Sequence, residues 1–168
     1  WRMLQPAEDY SIPVPEIQIF GGGAHARGRC DIQDYLVVPC GAVSYSEGLE
    51  WVAEVYACAG RRLARRGQLQ GVADEGGYWP TFQHNEEGVE ELTRAIEEAG
   101  FAPGGQVAIA LDAAASQWRS DGRYRWQLEN RDVTVEQLLD EYGRWLDRYP
   151  VVSIEDPLAE DDHDGMRE

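Results

Sequence analysis

Lysine is absent from the sequence, so arginine supplies all of the permanent positive charge, and 15 basic residues stand against 31 acidic ones. The net charge of -16 weighs against nucleic acid and anionic membranes as partners, because both are bound through clustered lysine and arginine. No apolar run approaches the ~18 residues that a membrane span needs. The first residues also lack the basic and then apolar pattern of a secretory signal. These absences predict a cytoplasmic protein that binds neither nucleic acid nor membrane.

Cysteine is scarce, with residues at positions 30, 40 and 58 only. An odd number without a C-x-x-C spacing argues against a disulfide framework and against a zinc site. We therefore expect reduced thiols. The rest of the composition, 43% hydrophobic and 27% charged, is typical of a globular chain the size of one ordinary domain.

Short apolar runs predict four principal strands, at residues 17–20, 34–38, 107–111 and 151–154. The first two runs are close enough in sequence to pair antiparallel. The last two are continuously apolar, which is the pattern of buried parallel strands.

Three helices are predicted from their start signals. Ser44 with Glu47 and Thr134 with Gln137 form capping-box patterns ahead of apolar residues at helical spacing. Asn85 precedes another apolar stripe, whose first turn is acidic. These three positions are therefore expected to mark the helix starts.

The predicted order is strand, strand, helix, helix, strand, helix, strand. A small hairpin is expected at residues 118–128, and no strand is expected within residues 71–84. This order predicts an α/β fold in which helices cover a sheet. Four strands would leave an unpaired sheet edge, so we expect a part of a larger fold. Residues 1–11 would then be the tail of a preceding segment, and residues 12–168 the body of the fold.

Acidic residues stand at the ends of three predicted strands. Asp112 and Glu155 directly follow apolar strands, and Asp34 directly precedes Tyr35 of another. In a barrel of parallel strands the carboxyl ends converge on one face, where Asp112 and Glu155 would meet. Two neighbouring carboxylates repel unless a cation joins them, and oxygen ligands suit Mg²⁺. Alternatively, each acid is a helix cap or a loop residue, and spacing alone leaves both interpretations open.

Short motifs appear in order along the chain. They are GGAHA from Gly22 with the following QDY from Gln33, DEGG from Asp74, LDAAAS from Leu111 and SIEDP from Ser153. In content and order they resemble the enolase family. The resemblance covers nearly the whole chain from residue 12 onward.

The resemblance implies a fold and a reaction. The fold would be a partial enolase-type TIM-like barrel, with residues 12–168 as the first half of the barrel domain. The family's N-terminal lid domain and later barrel strands would lie outside this chain. The reaction would be that of a glycolytic lyase, the Mg²⁺-dependent reversible dehydration of 2-phosphoglycerate to phosphoenolpyruvate. Because the base lysine and the third metal carboxylate come from the later strands, the segment alone would be inactive. The full-length protein would be a homo-oligomer, either a dimer or an octamer.

The resemblance also assigns roles to residues of this chain. Asp112 and Glu155 would be metal ligands. Glu75 would be the acid that assists the departure of hydroxide, with Asp34 as a second catalytic group beside it. The substrate, a small phosphorylated carboxylate, would be bound by a set of four residues: His25, Gln33, Asp34 and Glu155.

Three positions depart from the family pattern. The family usually has Glu at the position of Asp34, Asn at that of Gly21, and Gly at that of Ala73. Asp is one methylene shorter than Glu, and a misplacement of roughly 1 Å can cost about 10²-fold in rate. The departures therefore bear directly on activity.

Two alternatives to a glycolytic enolase follow from these observations. Asp34 and Gly21 are compatible with a paralogue that acts on a related phosphonate or phospho-carboxylate in specialised metabolism. The missing base is compatible with a non-catalytic binding or scaffold protein that keeps the enolase fold. Both alternatives stay open on the sequence alone.

Overall fold

Residues 11–26 and 29–167 are described by the structure, a computed structural model. They form two sheets and three α-helices. In chain order the elements are β1 (Ile17–Gly21), β2 (Asp34–Val38), α1 (Tyr45–Arg65), β3 (Leu69–Val72), β4 (Tyr78–Pro80), α2 (Glu86–Glu98), β5 (Ala108–Asp112), β6 (Arg119–Ser120), β7 (Arg123–Trp126), β8 (Arg131–Val133), α3 (Val135–Arg148) and β9 (Val151–Glu155). The predicted tail at 1–11 lies, except for its last residue, outside the described residues.

The larger sheet has six strands in the order β3-β4-β1-β2-β5-β9, and β6-β7-β8 form a separate small sheet. The antiparallel pairing of β1 with β2 confirms the sequence prediction. Strand β2 is also antiparallel to β5, whereas β5 and β9 are parallel. Within the described residues the result is a mixed α/β arrangement with a partial sheet that does not close into a barrel. No helix in these ranges is long and apolar enough to cross a membrane.

The prediction of no strand within residues 71–84 was wrong. Strand β3 pairs antiparallel with β4, and β4 pairs parallel with β1. Neither strand shows the alternation of apolar and polar residues that predicts a strand, and the reason is physical. Most of β3 is exposed and carries Gly71 in place of an apolar residue, while β4 has three residues and ends in proline. The small hairpin was predicted correctly about residues 121 and 122, but it continues into a third strand, β8.

All three helices begin one residue after the predicted position, and at two of the three starts the side chain makes the expected cap. The Ser44 side chain accepts a hydrogen bond from the Glu47 amide, and a complete capping box joins Thr134 to Gln137. The third helix, α2, begins at Glu86, one residue after Asn85, and the Asn85 side chain makes no cap.

The Asn85 side chain serves as a buried bridge instead. Its Oδ1 accepts from the Asp31 amide at 3.0 Å, and its Nδ2 donates to Asp31 Oδ2 at 2.9 Å. Asp31 Oδ1 in turn accepts from the Gln127 amide at 2.7 Å. Burial raises the pKa of the Asp31 carboxyl. The bridge joins the start of α2 to the small sheet, and both Asn85 and Asp31 are buried.

Between the larger sheet and the helices lies one continuous apolar core, in which every side chain is almost fully shielded from water. Its largest aliphatic members are Ile19, Ile32, Leu63, Leu92, Ile96, Ile109 and Leu111. Burying such side chains contributes about 1.5–3 kcal/mol each relative to exposure. This packing fixes the positions of β1, β2 and β5, and hence of the polar side chains at their ends.

Helix α2 approaches the sheet at Gly88. A Cβ atom there would lie 2.3 Å from Cε1 of the Tyr35 ring, which is closer than real contacts allow. The ring has no room to move, because Tyr35 is fully buried and its hydroxyl donates to the Asn85 carbonyl at 2.8 Å.

We predict that Gly88→Ala lowers the free energy of unfolding by about 1–3 kcal/mol, the usual cost of overpacking a core. Urea unfolding measures the change. The matched control is Gly143→Ala in α3, where the added methyl group has no atom within 4 Å apart from the adjoining residues and the backbone of its own helix. That variant should gain up to about 1 kcal/mol from helix propensity. Equal effects of the two substitutions would contradict the packing argument.

Candidate active site

Three carboxylates stand side by side where β2, β5 and β9 meet at one edge of the sheet. Asp34 pairs in register with Asp112, and Asp112 pairs in register with Glu155. Since β5 and β9 are parallel, their last residues lie at the same edge. Strand β2 runs the opposite way, so its first residue reaches that edge too. The sequence prediction that Asp112 and Glu155 lie close together is thus matched by the register, and Asp34 joins them.

This row of like charges changes the acidity of its central member. The pKa of Asp112 is raised to about 6, first by burial and then by the nearby charges of Glu155 and Asp34. One hydrogen bond from the Ala114 amide to Asp112 Oδ1, at 2.9 Å, opposes the shift. The charged form of Asp112 is therefore less favourable than that of an exposed aspartate, and a nearby cation would relieve this cost.

Left-handed backbone turns follow β5 and β9, close to these carboxylates. Ala114 and Asp156 have φ values of 47° and 44°, in the left-handed region that costs an L-residue roughly 1–2 kcal/mol. Both turns are locked together, because the Ala113 amide donates to the Glu155 carbonyl at 3.0 Å and the Ala115 amide donates to the Asp156 carbonyl at 3.1 Å. Strain of this kind concentrates at functional sites.

Gln33 connects the carboxylate row to the glycine-rich loop. Its Nε2 donates to Asp112 Oδ2 at 2.8 Å, and its Oε1 accepts from Gln117 Nε2 at 2.6 Å. Gln117 Oε1 then accepts from the Ala24 amide at 3.0 Å. The chain of three hydrogen bonds holds the loop against the strand ends. His25, predicted to bind substrate, is on this loop, but its side chain lies outside the part of the structure described.

Glu75 lies in the tight turn between β3 and β4. Helix α1 holds this turn, because the Tyr56 hydroxyl donates to the Gly76 carbonyl at 2.8 Å. The Tyr56 ring also stacks on Tyr78, with ring centroids 4.2 Å apart. The pairing of Phe20 with Tyr78 places the turn beside the end of β1. The Glu75 side chain is exposed at this edge.

Gln18 joins the two acids that were predicted to be catalytic. Its Nε2 donates to Asp34 Oδ1 and, at 2.8 Å, to Glu75 Oε2. Its Oε1 accepts from the Gly77 amide at 2.7 Å. Sequence reasoning missed this residue. The available signal was a polar side chain within the apolar run of β1, which has to be bonded if it is buried.

The predicted site residues thus form two linked groups. Asp34 and Glu75 are held by Gln18, whereas Gln33 and Asp112 are bonded directly, and Glu155 stands next to Asp112. Gln117 is the second residue that sequence reasoning missed, since nothing in its local pattern indicates that it contacts position 33. Among the described residues, no group of three or more His, Cys, Asp or Glu is placed to hold a metal ion.

Acids gathered at the strand ends of a helix-covered sheet are also the pattern of barrel enzymes, which build their active site on that face. Comparison with known families specifies the class further. The family model "Enolase, C-terminal TIM barrel domain" matches residues 9–168, and the chain belongs to this family.

Two curated relatives show how much of a whole protein the chain represents. Enolase 1 of Desulfitobacterium hafniense is 45% identical over an alignment of 168 positions, which covers 98% of this chain and 38% of the relative. Enolase of a Nitratiruptor species is 40% identical over 167 residues, 99% of this chain and 40% of the relative. The chain therefore spans about two fifths of the length of these relatives.

The raised pKa of Asp112 predicts how Asp112→Asn changes stability with pH. An aspartate in the unfolded chain has a pKa of about 3.9. Because the pKa is higher in the folded state, the contribution of Asp112 to stability is fully present below about pH 4 and is lost as pH rises through about 6. Asn stays neutral, so its stability relative to Asp should rise over that interval, by on the order of 1 kcal/mol after solvent screening of a half-buried group.

Urea unfolding at the two ends of this pH interval, with a chelator present to exclude metal ions, measures the change. The control is Asp140→Asn, at an exposed position on α3. A difference between the Asp112→Asn variant and the parent protein that does not vary with pH would contradict the charge crowding. The same pH dependence for Asp140→Asn and Asp112→Asn would do so too.

Proposed function

We propose that the protein to which this chain belongs catalyses the reversible dehydration of 2-phosphoglycerate to phosphoenolpyruvate, with Mg²⁺ as cofactor. The observation that carries the proposal is the row Asp34, Asp112 and Glu155 at one sheet edge, with Glu75 beside it, in a chain of the enolase family. The substrate would be a small phosphorylated carboxylate. A cytoplasmic homo-oligomer, as the resemblance implies, is part of the same proposal.

The donors at this edge suit a hard cation. Asp112 and Glu155 offer carboxylate oxygens from adjacent strands, and the crowding of negative charge that raises the pKa of Asp112 would be relieved by a cation. When bound there, Mg²⁺ supplies Lewis-acid stabilisation of the negative charge that develops on the substrate carboxylate. Two carboxylates are too few for a complete protein ligand set. A third one would come from a part of the protein outside this chain.

The two acids bonded to Gln18, Asp34 and Glu75, each have a defined task in this elimination. The proton at C2 goes to a base, its electron pair forms the carbon–carbon double bond, and the hydroxyl on the adjacent carbon departs. Glu75, exposed and fixed by its hydrogen bond, would give a proton to the departing oxygen so that water leaves. Asp34 lies on the other side of Gln18 and would orient the leaving hydroxyl. This chain has no lysine, so a lysine base would come from elsewhere in the protein.

The metal assignment predicts the behaviour of Asp112→Ala. In the full-length protein this variant should bind Mg²⁺ more weakly by at least about tenfold in calorimetry, as expected when a ligand is removed, and should lose turnover. Asp140→Ala on α3 is the control and should bind like the parent. Unchanged affinity in Asp112→Ala would remove Asp112 from the ligand set.

The role of Glu75 is tested by separating proton abstraction from elimination. Glu75→Gln keeps the size of the side chain but cannot give up a carboxyl proton. It should still exchange the C2 proton of the substrate with solvent deuterium, measured by NMR, while product formation falls by about 10²-fold or more. Equal loss of both reactions would show that Glu75 is not the acid of the second step.

A paralogue that acts on a related phosphonate or phospho-carboxylate is the second candidate. It is favoured by the short acid Asp34 and by Gly21, which leave a differently shaped space at this edge. Parallel turnover assays with 2-phosphoglycerate and with phosphonate analogues decide between the candidates. Higher kcat/KM for a phosphonate would favour the paralogue.

A further inference from the structure

Gln18 uses both ends of its side-chain amide. The carbonyl oxygen accepts from the Gly77 amide, which fixes the orientation of the group, and the NH₂ then faces Asp34 and Glu75. Two donor hydrogens therefore meet two carboxylates. Gln18 itself is 9% exposed, so water does not easily replace these partners. A buried amide that joins two acids determines how far apart they stand.

Small residues make the room that the Gln18 side chain needs. A Cβ atom on Gly77 would lie 2.4 Å from Gln18 Oε1, so any larger residue there would displace the amide. A Cβ atom on Gly21 would lie 3.3 Å from Gln18 Nε2 and 2.5 Å from the Ala73 methyl group. Ala73 thus occupies the space next to Gly21 that a side chain would otherwise fill. It also continues the turn, since its amide donates to the Gly77 carbonyl at 2.7 Å.

The three residues that depart from the family pattern all lie around the Gln18 side chain, directly or through a neighbour. Asp34 accepts a hydrogen bond from Gln18, Gly21 borders its amide nitrogen, and Ala73 packs against Gly21. Residues that share one space and one hydrogen-bond network are energetically coupled. The short acid at position 34 is therefore part of a set that includes the long amide at position 18.

We propose that Gln18 is a positioning residue whose length is matched to that of Asp34, so that it sets the separation between Asp34 and Glu75. The role of this pair in turnover rests on the proposed function. Lengthening Asp34 alone then pushes its carboxylate into the Gln18 amide and displaces Glu75. It does not restore the usual family site. Moving one methylene from position 18 to position 34, in the double variant Gln18→Asn with Asp34→Glu, keeps the combined length.

A double-mutant cycle in the full-length protein tests the match. Asp34→Glu and Gln18→Asn should each lower kcat by about 10- to 100-fold, as expected for a displaced catalytic group, with KM changed by less than about threefold. The double variant should recover at least about tenfold relative to the worse single variant. Controls with the same methylene changes far from the site are Gln106→Asn and Asp164→Glu, and both should leave kcat unchanged. Multiplicative losses in the double variant, or undiminished kcat in Asp34→Glu, would overturn the proposal.

Hydrogen exchange of the Gly77 amide tests the same contact without any turnover. Gln18→Leu removes the acceptor and should speed this exchange, while the Gly76 amide, which donates to the Ala73 carbonyl at 3.0 Å, serves as the internal reference. Asp34→Glu should also speed Gly77 exchange, but should add nothing in the Gln18→Leu background, because its effect is transmitted through Gln18. Absence of parent activity on 2-phosphoglycerate would end the proposed function, and the exchange result would then decide on Gln18. Unchanged Gly77 exchange in both single variants would overturn the positioning role.

Discussion

The register of β2, β5 and β9 is the constraint on which the rest of the site depends. It forces three carboxylates into one row, and the apolar core on the sheet prevents the strands from sliding to separate them. A shift of one residue would turn every side chain of a strand to the opposite face. Charge repulsion within the row is thus maintained by hydrophobic packing. The raised pKa of Asp112 is the direct consequence, and it is the basis for the proposal that a cation binds at this edge.

At this edge the side-chain amides of two glutamines donate hydrogen bonds to the crowded carboxylates. Gln33 donates to Asp112, and Gln18 donates to Asp34 and to Glu75. An amide can stabilise a carboxylate without neutralising its charge, so the charge stays available to the cation of the proposed function. Arginine at these positions would form ion pairs with the carboxylates and would compete with the proposed Mg²⁺. The two glutamines therefore preserve the acidity that the proposed chemistry needs.

Strand ends, helix caps and family motifs could be predicted because each depends on residues close together in sequence. The helix caps at Ser44 and Thr134 and the acids Asp112 and Glu155 are of this kind. The missed features depend on tertiary contacts. Asn85 looks like a helix cap, but it bonds to Asp31 because both are buried together, and strand β3 exists through its pairing with β4 although most of it is exposed. The contacts of Gln18 and Gln117 likewise join positions at least 16 residues apart.

Crystals of the full-length protein, soaked in Mn²⁺ as an anomalous substitute for Mg²⁺, would test the central claim most directly. The claim is that the row of acids at the ends of β5 and β9 is a cation site. The account predicts one strong anomalous peak near both Asp112 and Glu155. The distances from the peak to their carboxylate oxygens should be about 2.0–2.3 Å, as for a hard divalent ion. A peak at saturating Mn²⁺ that avoids both residues, or no peak at this edge, would contradict it.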